Sequence, residues 1–269
     1  MSLQFYLQDT TALLGDQAYL FTSQTQLTRW INEARRHLAK RTGCIERLIT
    51  GQSAYGSAAQ PGYMIPGGIQ PGALPGPIPA TGNPQIAFNA AQTGNMTTLI
   101  GVERYPYKGF FNPVLKDTYA GVKGVIDCLE LSINWGGNFR PSLMWLPWDD
   151  LQAYCRSYAN QTTAYPAVWS VFNDGEDGEV WIFPVPSEAG EMEARVICIP
   201  EDIYSDDDVD AIPEGYRDAI KFKAAALAFM AQMRYQEAQG MENVFAQTVG
   251  IDTTAVDRGK VPNFYFRSI

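Results

Sequence analysis

Histidine is almost absent from this chain of 269 residues; His37 is the only one. A Ser-His-Asp or Cys-His arrangement uses an imidazole as its base, so catalysis of that kind has little material here. The patterns G-x-S-x-G, H-E-x-x-H and G-x-x-x-x-G-K-S/T do not occur, which removes three common hydrolytic and nucleotide-binding devices. Cysteine is sparse too. Cys44, Cys128, Cys155 and Cys198 stand singly with no C-x-x-C pair, so no disulfide framework is expected and the four read as small apolar residues. A zinc site would lack histidine help, and no metal or cofactor is expected. Positive charge is in deficit: 20 Lys and Arg against 29 Asp and Glu leave a net charge of −9. A general nucleic-acid binder needs clustered cations to neutralise phosphates, and is excluded on this ground. No apolar run approaches the ~18 residues of a membrane span. The opening Met1-Ser2-Leu3-Gln4 lacks the basic and apolar regions of a secretory signal, so the chain is expected to fold in a cytoplasm.

What is present is a globular composition. Apolar residues make up 46% and aromatics 12%, enough to build a real core in one large domain or two small ones. The first ~20 residues read as a short ordered lead-in. A helix then opens at Ser23, which forms a capping box with Gln26. Leu27, Trp30, Ile31, Ala34 and Leu38 supply its apolar face, Lys40 and Arg41 suit its negative end, and Gly43 suits the left-handed cap. Arg29, Arg35, Arg36, Lys40, Arg41 and Arg47 make this the most basic part of the chain. With Glu33 and Glu46 interleaved, the face is either solvated or lines a passage for DNA, and Arg35 and Arg36 are the candidates for the latter.

From Leu48 to Val102 no residue is charged. Pro61-Gly62, Pro66-Gly67-Gly68, Pro71-Gly72, Pro75-Gly76-Pro77 and Pro79 punctuate this stretch and favour extended, polyproline-like chain over helices or central strands. A solvated linker is the usual meaning of such composition. Here Tyr63, Met64, Ile65, Leu74 and Ile78 are too apolar for that, so residues 50–96 are expected to pack as an arm on their own domain or on a neighbouring subunit.

Residues 97–202 turn to strands: Thr98–Val102, the alternating run from Gly124 to Trp135, Pro141–Leu146, and a hairpin of Ala167–Phe172 and Glu179–Phe183 around an Asp174-Gly175 turn. Met192–Pro200 supplies a last strand. A short helix over 147–158 interrupts them. Residues 203–250 return to helices. The acidic run Asp206-Asp207-Asp208-Val209-Asp210 precedes Ile212-Pro213, and Ala219, Phe222, Ala226, Phe229 and Met233 form one apolar stripe. Five further or shared positions, Ala224, Ala225, Ala226, Ala228 and Ala231, keep that helix thin. The acidic run lacks the loop of a calcium site and reads as a solvated turn; repeated around a ring, Asp206, Asp207 and Asp208 would steer DNA. The predicted class is α+β: a helical bundle of 1–49, 203–250 and the 147–158 helix, an antiparallel β-rich insertion, and a long extended Pro/Gly arm. A tail, 251–269, closes with Phe264, Tyr265, Phe266, Arg267 and Ile269, residue types enriched at binding hot spots, and is expected to dock on a partner.

Two chemistries compete. A carboxylate glycosidase needs only two acids, and Asp149, Asp150, Glu176 and Asp177 are available, although the first two suit a helix N-terminus and the others a turn. A carbohydrate-binding platform could use Trp135, Trp145, Trp148, Trp169 and Trp181, of which Trp145, Trp169 and Trp181 fall in predicted strands, where burial is the default.

The acidic turn, Ile212-Pro213 with Tyr216, the Ala-rich helix and Glu237-Ala238 before a second helix resemble the C-terminal part of bacteriophage head-to-tail adaptor proteins. Leu27–Ala34 resembles the opening helix of that family. The hairpin from Trp169-Ser170 to Phe183-Pro184-Val185-Pro186 resembles its strand, turn and strand ending in P-x-P. The resemblance implies a structural virion protein of the phage neck, without enzymatic activity, that joins a portal protein to a tail tube or nozzle protein. It implies a ring, twelve-fold in the family, around passing double-stranded DNA that it does not bind specifically, and no membrane.

Overall fold

The computed structural model describes residues 3–15, 22–50, 96–135, 141–158, 165–173 and 175–250. In chain order the elements are α1 (Leu3–Leu14), α2 (Gln24–Thr42), β1 (Glu46–Thr50), β2 (Arg104–Pro106), a π-helical turn (Tyr107–Phe111) and α3 (Asn112–Thr118). There follow β3 (Val122–Asn134), β4 (Met144–Trp145), α4 (Trp148–Ser157), β5 (Val168–Phe172), β6 (Glu179–Phe183), β7 (Glu191–Pro200), α5 (Glu214–Ala231) and α6 (Tyr235–Val249). The class is α+β, as expected. The chain divides into two units, one of Met1–Arg47, Tyr119–Ile126 and Val196–Val261, the other of Leu48–Thr118, Asp127–Arg195 and Pro262–Ile269. One sheet orders its strands β1-β7-β3, the other β2-β6-β5-β4.

The first unit is helical. Its opening segment, expected only as a lead-in, is α1, because Leu3, Tyr6, Leu7, Thr10 and Thr11 share one buried face. The hydroxyls of Thr10 and Thr11 escape desolvation cost by donating to the Tyr6 and Leu7 carbonyls at 2.7 and 2.9 Å. α2 has the ends the sequence announces. Ser23 accepts from the Gln26 N–H at 3.3 Å, and Gly43 takes φ 61° while its N–H donates to the Ala39 carbonyl. α5 packs against α1, α2 and α6; its buried Ala219, Ala224, Ala225, Ala226 and Ala228 let those helices approach closely. The expected stripe is only partly right. Ala219, Ala226 and Phe229 are buried, Phe222 is half-buried, and Met233 is 77% exposed. The reason is local: the helix stops at Ala231, and Met233 turns into the left-handed region at φ 60°, so the periodicity no longer carries a side chain inward.

The second unit holds the four-stranded sheet. β5 and β6 form the expected hairpin, with Val168 opposite Phe183 and Phe172 opposite Glu179. Asn173 and Gly175 supply the positive φ angles of its turn. The sheet is mixed rather than antiparallel, because β4 runs parallel to β5. α4, expected in the helical bundle, instead packs on β5, burying Leu151 against Val168 and Phe183 with Trp148 and Tyr154 at the margin. Its apolar stripe is short, and nothing in its sequence distinguishes a helix partner from a sheet partner. The expected strand at Thr98–Val102 is reduced to a single bridge from Thr97 to Glu191; Gly101 at φ 79° turns the chain, and β2 begins at Arg104. The π-helical turn and α3 were not legible. Their anchor is Tyr107, whose N–H donates to the Gly178 carbonyl at 2.9 Å and whose ring lies where any Cβ on Gly178 would sit, 2.4 Å away.

Burial separates the two phenylalanines of α5. Phe229→Ala should cost about 3–5 kcal/mol, transfer plus cavity, and Phe222→Ala clearly less. Chemical denaturation checks both, and equal losses would contradict the assigned helix face.

Candidate functional site

A connected polar cluster lies where the acidic stretch before α5 meets α1 and α2. Arg35 sits on the buried face of α2 with its side chain 0% exposed, and Asp210 opposite it is 1% exposed. Their Nη2–Oδ1 distance is 2.7 Å. Arg35 Nη1 also donates to the Glu201 carbonyl at 2.7 Å and to Asn32 Oδ1 at 3.1 Å. Asn32 in turn brackets Ile203, donating to its carbonyl at 2.9 Å and accepting its N–H at 3.0 Å. Tyr6 of α1 donates its hydroxyl to Asp210 Oδ2 at 2.5 Å, and the Ile212 N–H donates to Oδ1 at 3.1 Å. Arg217 stands 3.8 Å from Oδ2.

The electrostatics follow from this geometry. Burial opposes ionisation of Asp210, but Arg35 and the donated hydrogen bonds outweigh it and hold the carboxyl below its ordinary value. Burial first, and then the bond to Asp210, push the Tyr6 hydroxyl upward. The group is a fixed charge clamp, not a proton relay. Arg35 therefore cannot line a channel of this fold, as expected of it from sequence, because its guanidinium is spent inside. Arg36 is half-buried on the same helix and lies 3.6 Å from Asp202.

The acidic turn is less free than its composition suggests. Asp206 accepts the Gln4 N–H at 2.8 Å and so caps α1 from far along the chain. Asp208 accepts the Tyr204 and Ser205 N–H groups at 2.6 and 2.8 Å, bonds that lower its pKa. Asp207 has no partner among the described residues and stays exposed. Beside this turn a cleft of about 390 Å³ opens between α1, the start of α2 and Tyr204.

The other candidates do not converge. Asp149 and Asp150 stand exposed in the first turn of α4, and Asp177 on the hairpin turn pairs with Lys108 at 2.5 Å. Trp169 is 1% exposed, its indole N–H donating to the Leu143 carbonyl at 3.1 Å. Arg104 covers the Trp181 ring at 3.8 Å, and Trp148 meets Trp181 edge-on at 4.8 Å, so these faces are already occupied. His37 is half-buried against Phe245, its Nδ1 without a partner among the described residues. Burial, then the nearby Lys223 cation, hold its pKa below the ordinary value. Among the described residues no three His, Cys, Asp or Glu side chains group to hold a metal, and no helix is long and apolar enough to cross a membrane. The arm residues Tyr63, Met64, Ile65, Leu74 and Ile78, and the tail residues Phe264, Tyr265, Phe266, Arg267 and Ile269, lie outside the described residues. Sequence reading passed over Tyr6 and Asn32 and took Asp210 only as the end of a solvated acidic run, whereas its side chain is buried against Arg35.

Asp210→Asn leaves Arg35 buried without a counter-charge and should cost about 3–5 kcal/mol in denaturant melts. A loss typical of a surface pair would contradict the burial. Acid should weaken the fold in two stages. His37 has its folded pKa below the ordinary 6.5, so the unfolded chain takes up a proton first and stability falls as pH drops from 6.5 toward the folded value. Asp210, depressed below 3.8, stabilises the fold above that pH and ceases to as pH falls through its folded value. Stability measured against pH should lose the upper stage in His37→Gln and keep the lower one.

The geometry is that of a scaffold stapled by buried polar links. The model of the SU10 adaptor protein family matches residues 2–263, nearly the whole chain. Comparison with curated proteins finds no match. The family match spans the opening helix, the hairpin and the closing helices that carry the resemblance to phage adaptors. The chain belongs to the SU10 adaptor protein family and is a structural adaptor of a bacteriophage.

Proposed function

We propose that the chain is a neck component of the virion, assembled in the host cytoplasm, that closes into a ring between portal protein and tail tube or nozzle protein. The observation that carries this reading is the family match over residues 2–263. In it the ring, a dodecamer by family resemblance, surrounds passing DNA without reading its sequence. The net charge of −9 supports the last point, since an acidic wall repels the phosphate backbone. Arg36, Asp206, Asp207 and Asp208 are the candidates for a channel face. The tail residues Phe264, Tyr265, Phe266, Arg267 and Ile269 form the clasp for portal or neck, offering large apolar area and one Arg after Pro262. The uncharged arm packs on a neighbouring subunit.

Two co-sedimentation measurements test this. The isolated chain should be a monomer or weak assembly and close into a ring on portal; a dimer or tetramer indifferent to portal would overturn the reading. Deleting residues 264–269 should leave the melting temperature nearly unchanged while abolishing attachment. Equal attachment by both forms would move the docking surface elsewhere.

A further inference from the structure

The cleft beside α1 has a chemistry of its own. Leu3 and Leu7, 6% and 4% exposed, form its apolar floor. Gln4, Gln8 and Gln24 are exposed around it, and none of their carboxamides bonds a described residue. The Tyr204 ring stands 75% exposed at the rim. The one charge in the lining, Asp206, is engaged by the Gln4 N–H. A lining of amide donors, an aromatic wall and apolar floor, with no cation, suits a neutral extended peptide. Such a peptide in the polyproline conformation makes no internal hydrogen bonds, so its carbonyls seek donors while its rings seek aromatic and apolar surface.

The sequence carries a neutral, proline-rich candidate. Residues 48–102 hold no charge, and Pro75-Gly76-Pro77-Ile78-Pro79 is their densest proline cluster. We propose that this cleft receives the Pro75–Pro79 segment of a second copy of the chain. The proposal rests on the reading of the arm as a subunit-packing element and names the surface that takes it. The length of chain between Thr50 and Met96 permits a long reach, since an extended chain can span at most about 3.3–3.6 Å per residue. Symmetry favours exchange between copies. Each copy carries one arm and one cleft, and a head-to-tail contact repeated by rotation closes a ring.

The test uses the purified full-length chain at low concentration and a fluorescent synthetic peptide of residues 71–83. Saturable binding should be seen by anisotropy. It should weaken at least about tenfold in Tyr204→Ala and in Gln8→Ala, both exposed positions whose loss leaves the melt unchanged. Binding should differ little between about 50 and about 500 mM salt, because no ion pair is involved. Copies carrying Gln8→Cys and differently tagged copies carrying Ile78→Cys, oxidised after assembly on portal, should form a disulfide between tags, with Gln239→Cys on α6 as the negative control. Absent peptide binding, binding indifferent to Tyr204→Ala, or a disulfide as frequent in the control would overturn the cleft assignment. A disulfide formed only within one chain, in a Gln8→Cys/Ile78→Cys double variant, would overturn exchange between copies. Peptide binding without ring formation on portal would overturn the ring reading and support the cleft; a ring whose chains ignore the peptide would do the reverse.

Discussion

The helical unit depends on the pairing of Arg35 with Asp210. Taking both charges out of water costs several kcal/mol per ion, and only a nearly complete set of partners offsets it. That set is present: Asp210 accepts from Arg35, Tyr6 and the Ile212 backbone, while Arg35 reaches Asn32 and the Glu201 carbonyl. Among the described residues, Arg35 Nε is the one buried side-chain atom of this cluster without a partner. The cluster thereby pins α1, α2 and the connector from β7 to α5 in a single register. A purely apolar contact among these segments could slide by a residue at small cost; this one cannot, because any slip strands a buried charge.

The same logic recurs along α5. Lys223, only 7% exposed, places its ammonium 2.7 and 2.9 Å from the two oxygens of Glu242 on α6, and Lys221 reaches Asp9 of α1 at 3.0 Å. The first link is buried enough to matter, whereas the second is partly solvated and contributes little. Alanine provides closeness on this helix and the lysines provide address. A core aligned by directional links resists slippage between helices better than one held by area alone.

Much of the fold was readable where one local interaction decides it. Ser23, Gln26 and Gly43 bound α2 because caps act within four residues, and β5, β6 and their turn follow from alternation around a turn needing positive φ. The misreadings lie where a distant partner decides. α4 was given to the helices though Leu151 packs on β5, α1 was underrated because its cap, Asp206, is two hundred residues away, and Tyr107 found its place through Gly178. Arg35 is the sharpest case. Its neighbours in sequence are basic, so the helix face read as solvated, and only the return of Asp210 turns that position inward.

By itself the sequence determined the α+β class, the ends of α2, the hairpin, the scarcity of catalytic material and the motifs shared with phage adaptors, since each is written in residues close together or in composition. Tertiary structure alone decided which charges are structural and which remain on the surface. Burial of an ion is a property of what surrounds it, and those surroundings come from segments as far apart as Tyr6, Arg35 and Asp210.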